Sequence, residues 1–354
     1  MTFYQELQLN QAGSKNYIAA FTKPKDKFVH ILTFIFKVVL NLVFSIAVIM
    51  LLSMIFGSEN SIAGLVVLLG ITTFRFTDLD IHASHSVGAI FLIFAIFAVG
   101  PKVANLVPTG CDFSINFVCL LLIVVLGCHN ANFFNHAILV LSYVLLYGSD
   151  VSGMAYLYRV LCLLLGAVLT SAVLYRNKRK KKFDYGFKDL FKDFKISDAR
   201  TRWQIKIALV VSGAVLVSTL LGFTKPVWAG VAAMSVTVPL GDVKTRVEGR
   251  IRGNVIGSMI YILLYAILPA SIMNYISTLG GLGLGFSAKY EGQTAWNAFS
   301  AMSVAAMSFG TAVAVVNRVL NNILGALCAL LFGMIIDQLL LGLNSLIQKR
   351  NQQL

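Results

Sequence analysis

Twelve apolar runs, set apart by a few glycines, prolines or charges, govern what this chain can fold into. They lie near 30–56, 60–74, 86–100, 112–128, 134–149, 153–175, 203–223, 226–240, 252–270, 273–287, 293–315 and 317–343. A helix crosses hydrocarbon on about 20 such residues, because it satisfies its own backbone hydrogen bonds where no water can. Only 12% of the 354 residues are charged and 58% are apolar, against about 25% charged in soluble domains. A soluble enzyme, a disordered chain and an ordinary nucleic-acid-binding domain are excluded on that ground. The expectation is an all-α polytopic membrane protein with about 12 transmembrane helices and no large soluble domain. Several runs hold only 14 to 17 residues, so they are short helices in thinned membrane or broken, re-entrant segments.

Charge placement orients the chain. With the N-terminus in the cytoplasm, inner segments hold 23 of the 29 lysines and arginines, including eleven in 176–202. Outer loops hold only Lys102 and Lys225. Lysine and arginine collect on the cytoplasmic side, so both termini are expected inside, in a bacterial plasma (inner) membrane. Most of the net charge of +14 is thus a topology signal. The first 27 residues are polar and the apolar run starts late, unlike a signal peptide.

The two halves echo each other. Arg159-Val-Leu-Cys-Leu-Leu-Leu-Gly166-Ala returns as Arg318-Val-Leu-Asn-Asn-Ile-Leu-Gly325-Ala, Lys37 as Lys206, and Ile62-Ala-Gly64 as Trp228-Ala-Gly230. Ordered matches at similar offsets indicate related halves, and an even span count per half makes them parallel repeats. The expected domains are a cytoplasmic segment 1–27, a degenerate first six-helix repeat 28–175, a basic linker 176–202, a second repeat 203–343 and a tail 344–354. In the linker, Phe187, Leu190, Phe191 and Phe194 share one helical face, the pattern of an interfacial helix beside anionic headgroups.

Charges left inside the membrane are expensive and mark function by default. Arg159, Arg318, Lys206 and Lys37 lie within or at the edges of spans, and Arg252 opens a helix with Gly253 and Gly257 on a close-packing face. These five, with Trp228 as an aromatic wall, are the candidate substrate-binding residues. Asp337 and Asp112, near span ends, are the candidates for proton coupling. Cys128-His129-Asn130…Asn135-His136 reads as a hydrogen-bonded turn rather than a metal site. Gly280-Gly-Leu-Gly283-Leu-Gly285 lies in an apolar run with no preceding strand, so it reads as helix packing rather than a dinucleotide loop. The five cysteines form no CxxC. No catalytic residue, metal or cofactor is expected, and no enzyme.

From Pro226-Val-Trp228-Ala through Pro239 and Thr245 to Arg252-Gly253-Asn-Val-Ile-Gly257, the chain resembles the fusaric acid resistance and aromatic acid exporter family. Arg318…Gly325-Ala resembles that family's final-helix signature, and Asn254 stands where the family has Thr. The resemblance covers roughly 200–343, and the first half joins it only through the repeat. It implies an inner-membrane exporter of small organic acids, aromatic ones among them, with proton coupling as an open element. A related plant group forms malate channels. Typical bacterial members carry a large cytoplasmic domain, whereas 27 residues join the halves here. Two rival readings stand beside export: a passive organic-anion channel on the same fold, and a membrane scaffold without transport. The expected partners are the lipid bilayer and small organic anions, with a homo-oligomer left open and no nucleic acid.

Overall fold

The structure is a computed structural model that describes residues 1–239, 242–273 and 275–353. The side chains of 270, 271 and 344–353 are outside that description. Leu240 and Gly241 in the turn after Pro239, and the charged side chains Lys349 and Arg350 of the expected tail, therefore lie outside the described residues.

Among the described residues all regular structure is helical. Two short helices, α1 (Phe3–Leu7) and α2 (Gln11–Ala19), precede α3 (Pro24–Phe56). Then come α4 (Ser61–Phe76), α5 (Ala83–Leu106), α6 (Cys111–Gly127), α7 (Asn135–Tyr147) and α8 (Gly153–Lys178). A single turn, α9 (Asp189–Lys192), leads to α10 (Ala199–Leu220), α11 (Val227–Val236) and α12 (Val243–Ile267). The short α13 (Ala270–Met273), α14 (Ile276–Phe286), α15 (Tyr290–Phe309) and α16 (Thr311–Gln353) complete the chain. Eleven of the twelve apolar runs are carried mainly by one helix each, while 293–315 runs from α15 across the Gly310 break into the start of α16. Among the described residues, six segments are long and apolar enough to cross a membrane: Pro24–Phe56, Ser58–Phe76, Ala83–Leu106, Gly153–Lys178, Ala199–Leu220 and Thr311–Leu343. Four apolar helices are shorter: α6, α7, α11 and α14.

Local chemistry sets the boundaries. Pro24 opens α3, where a missing N–H costs nothing. Thr2 and Gln5 close a reciprocal capping box on α1. Gly310, at φ 79°, makes the break between α15 and α16 that a side chain would strain.

The chain divides into two compact units, residues 1–47 with 245–322, and residues 48–244 with 323–354. In the first, Tyr261, Ile276, Ala298, Phe299 and Met302 form a buried cluster, and Ile18, Phe34 and Val38 pack with Leu282 and Phe286. There α12 meets α15 backbone to backbone: a Cβ on Gly253 or Gly257 would strike the carbonyl oxygen of Glu291 or Ala295. Lipid tails are as apolar as leucine, so such close approach supplies the attraction between helices.

In the second unit α8 packs on α4 and α5, and α10 packs on α6 and α11. Phe74, Ile90, Ile93, Ile123, Ile207 and Val211 are buried there. The apolar face seen in the linker does not make an extended helix. It yields only the single turn α9, and Leu190 is buried while Phe191 is exposed.

Replacing Gly257 by Val should cost about 3 kcal/mol, because the clash is with backbone that no rotamer relieves. Gly88→Ala, where a Cβ meets nothing, should be close to neutral. Reversible unfolding in mild detergent reads both, and an equal effect of the two changes would refute the contact.

Candidate functional site

A buried polar cluster in the first unit joins α12, α15 and α16. Arg318 on α16 and Arg250 on α12 are 2% and 4% exposed. Arg250 Nε donates to Asn322 Oδ1 at 2.9 Å, and its guanidinium also hydrogen-bonds the Tyr290 side chain. Arg318 Nη2 donates to Asn297 Oδ1 at 2.7 Å. The partners named here are amides and a phenol, which orient the guanidiniums. The two cations also stand close enough to repel each other. Arg250 Nη2, both amide atoms of Asn254 and Thr294 Oγ1 are buried without a hydrogen-bond partner.

Periodicity explains the cluster. Arg250, Asn254 and Ser258 recur every four residues along α12, and all three are buried. Residues four apart share one helix face. The glycine contact of α12 with α15 brings that face against Thr294. Asn321 and Asn322 follow one turn after Arg318 and are fully buried. Burying one cation in such a cluster is costly and burying two side by side more so, unless an anion compensates them.

The other sequence candidates are distributed differently. Arg252 is exposed and lies 3.6 Å from Glu248, one turn back on the same helix. The buried arginine of this stretch is Arg250, two residues earlier. Arg159 on α8 is buried, and its guanidinium is consumed by Asn60 Oδ1 at 3.1 Å, the Glu59 carbonyl at 3.3 Å and the Ser149 carbonyl. Lys37 donates to the Leu9 carbonyl at 3.0 Å and to Ser14 Oγ, and lies 4.9 Å from the Phe34 ring centre. It thereby fastens the N-terminal helices to α3. Next to it Glu6, also buried, meets His30 Nδ1 at 3.0 Å.

Lys206 and Asp337, assigned separate roles from the sequence, form one ion pair at 2.9 Å between α10 and α16. Asp112 is buried and accepts from the Tyr147 hydroxyl at 2.7 Å and from the Gly110 N–H at 2.7 Å. Trp228 is half-buried at the start of α11. Sequence reasoning missed Arg250, Asn254, Thr294, Asn297 and Asn322. The four-residue recurrence on α12 was the available signal for the first two. Among the described residues, no group of three or more His, Cys, Asp or Glu is placed to hold a metal.

Helices of this length and apolarity define a polytopic helical membrane protein. Residues 213–332, about a third of the chain, match the model of the fusaric acid resistance protein-like family. The match spans α12, α15 and the Arg318 turn of α16, and it supports the family resemblance carried by Trp228, Arg252-Gly253 and Arg318. No curated protein and no solved structure matches the chain.

Arg159 and Arg318 should respond differently to substitution. Arg159→Met leaves carbonyls without donors and should lower stability by about 3 kcal/mol. Arg318→Met removes a repelling charge and should cost less. Unfolding of both variants in the same detergent checks the order, and a larger loss at Arg318 would contradict it.

Proposed function

We propose that this protein is a transporter that exports small organic anions, aromatic acids among them, and that the Arg250–Arg318 cluster is where the anion binds. One observation carries the reading: two neighbouring guanidiniums, both buried and both held by neutral amides. A carboxylate placed between them gains charge-assisted, bidentate hydrogen bonds. It also uses the buried donors of Arg250, Asn254 and Thr294 that have no partner in its absence. The family match points the same way, toward membrane transport.

The finer architecture belongs to this proposal. Twelve spans form two parallel six-helix repeats in a bacterial inner membrane, with both termini cytoplasmic. Corresponding contacts support the repeat. Gly166 of α8 packs against Val67 of α4, and Gly325 of α16 packs against Ala229 and Ala232 of α11. In each half the last helix thus meets the second through a glycine seven residues after an arginine.

Proton coupling falls to Asp337, whose charge is held by Lys206. A proton arriving on Asp337 breaks the pair and leaves Lys206 a lone cation in a membrane helix, a state unstable enough to drive a rearrangement. Arg159, Lys37, Arg252 and Trp228 serve the transporter as supports in this reading, outside direct contact with the anion.

Reconstituted in liposomes, the protein should carry hydroxybenzoates down a proton gradient. Arg250→Gln and Arg318→Gln should each reduce flux at least about tenfold, the worth of one charge-assisted contact. Lys180→Gln, at an exposed linker position, should stay at the wild-type rate. Asp337→Asn should keep substrate exchange and lose proton-driven accumulation. Unchanged flux in both arginine variants refutes the site. Steady anion current without a proton gradient replaces the exporter with a channel on the same residues.

A further inference from the structure

An apolar groove runs along the second unit between α5 and α6. Leu92, Ile96, Val99 and Val103 of α5 form one wall. Ile115, Cys119, Leu122 and Leu126 of α6 form the other, with the same spacing of four, three and four residues. That spacing keeps each wall on one helix face. From Leu92 to Val103 the helix rises about 16 Å, the depth of one leaflet in a hydrocarbon layer about 30 Å thick. Every side chain lining the groove is apolar, the Cys119 thiol counting as a small hydrophobe. Leu92, Val99 and Val103 are 46%, 54% and 40% exposed.

The basic linker supplies one end of this groove. The Phe187 N–H donates to His85 Nδ1 at 3.2 Å, near the start of α5, and Asp193 Oδ2 lies 3.6 Å from His129 Nε2, just past the end of α6. The turn α9 between them packs on α6 and adds Phe191 to the groove lining. The Lys192 N–H donates to the Lys188 carbonyl at 3.1 Å and the Asp193 N–H to the Asp189 carbonyl at 2.9 Å, so residues 188–193 wind as a helix. At about 3.6 residues per turn, Asp189, Leu190 and Asp193 share one side, and Lys188, Phe191 and Lys192 share the other. The first side faces protein: Leu190 is 3% exposed, Asp189 accepts from the Gly186 N–H at 2.7 Å, and Asp193 stands beside His129. The second faces out, with Lys188, Phe191 and Lys192 all exposed. The acids of the turn are drawn inward, and its two lysines stand at the end of an apolar groove.

We propose that this groove holds an anionic phospholipid, with one acyl chain between α5 and α6, Phe191 at its headgroup end and the phosphate met by Lys188 and Lys192. The match is one of length and order. The groove is apolar for one leaflet's depth, then presents an aromatic ring, then two cations, the order in which a lipid presents its chain, its interfacial region and its phosphate. Aromatic rings settle at that interface, and lysines there attract anionic lipid. A zwitterionic headgroup returns less of that attraction, because its own cation opposes it. A second copy of the chain fits the groove poorly. An isologous contact sets a patch against itself, which would bring the lysines of both copies together. The site uses no residue of the Arg250–Arg318 cluster, and it stands whether or not the protein exports acids.

Native mass spectrometry of the purified full chain, in detergent with phosphatidylglycerol and phosphatidylcholine of matched chains, reads the site directly. The wild type should retain one phosphatidylglycerol about tenfold more often than one phosphatidylcholine, the discrimination two lysines near a phosphate supply. Lys188→Gln/Lys192→Gln should remove that preference. Lys180→Gln/Lys182→Gln, which takes the same charge from exposed positions elsewhere in the linker, should keep it. Ala95→Trp, at an exposed position lining the groove, should displace the lipid with both lysines in place. Equal retention of the two lipids by the wild type overturns the proposal, as does undiminished retention in Ala95→Trp. An equal loss in the two lysine pairs also overturns it, by making the preference a property of the whole basic run. A lipid-free dimer of the wild type overturns it by giving the groove to a second copy. If Ala95→Trp does not fold, the lysine pairs decide, since all four side chains are exposed.

Discussion

A buried charge in a membrane needs a partner, and four different solutions to that requirement organise this molecule. Arg159 is satisfied by two backbone carbonyls, an amide and its depth in the fold. Lys206 takes a carboxylate, Asp337. Lys37 takes a carbonyl, a hydroxyl and an aromatic face supplied by the N-terminal helices and α3. Arg250 and Arg318 take amides and a phenol. Three of the solutions complete a structure. The fourth is the one on which the proposed anion site rests.

Helix packing makes the fourth solution attainable. Gly253 and Gly257 let α12 approach the α15 backbone. At that spacing a short side chain such as Thr294 reaches the same small volume as Arg250 and Asn254. Wider separation would require long side chains, whose rotamer freedom would blur the geometry and raise the entropic cost of binding. The glycines that set the approach and the polar residues of the cluster are therefore interleaved on the same stretch of α12.

Apolar periodicity made the helices legible: eleven of the twelve runs are carried mainly by one helix each, short ones such as α11 and α14 included, because hydrophobicity is local information. The resemblance carried by Arg252-Gly253 likewise pointed to the right stretch, 213–332. Pairing was not legible. Lys206 and Asp337 are 131 residues apart, and each looks like a separate functional charge until the fold joins them. Arg250 and Arg252 are two residues apart and chemically identical, yet one is buried and the other faces out beside Glu248. Their order along the chain cannot distinguish them. Phase on the helix can, since Arg250 is in register with the buried Asn254 and Ser258, whereas Arg252 is in register with Glu248. The linker misled for a related reason: a one-faced apolar pattern on a short segment also arises when Leu190 is buried against protein instead of lipid.

Asn254 gives the site its particular chemistry. The family resemblance has a threonine at this position, whose hydroxyl supplies one donor and turns to suit its surroundings. A carboxamide supplies two N–H donors and a carbonyl in one rigid plane. Both of its polar atoms are buried and unpartnered here, a cost a threonine would escape by bonding back to its own helix. In the proposed anion site that cost is recovered when a ligand offers both an acceptor and a donor. A carboxylate alone meets the N–H group. A carboxylate bearing a neighbouring hydroxyl also meets the carbonyl. In the proposed anion site the substitution would therefore favour hydroxylated acids over simple ones by about 1–3 kcal/mol, the cost of one buried, unsatisfied acceptor.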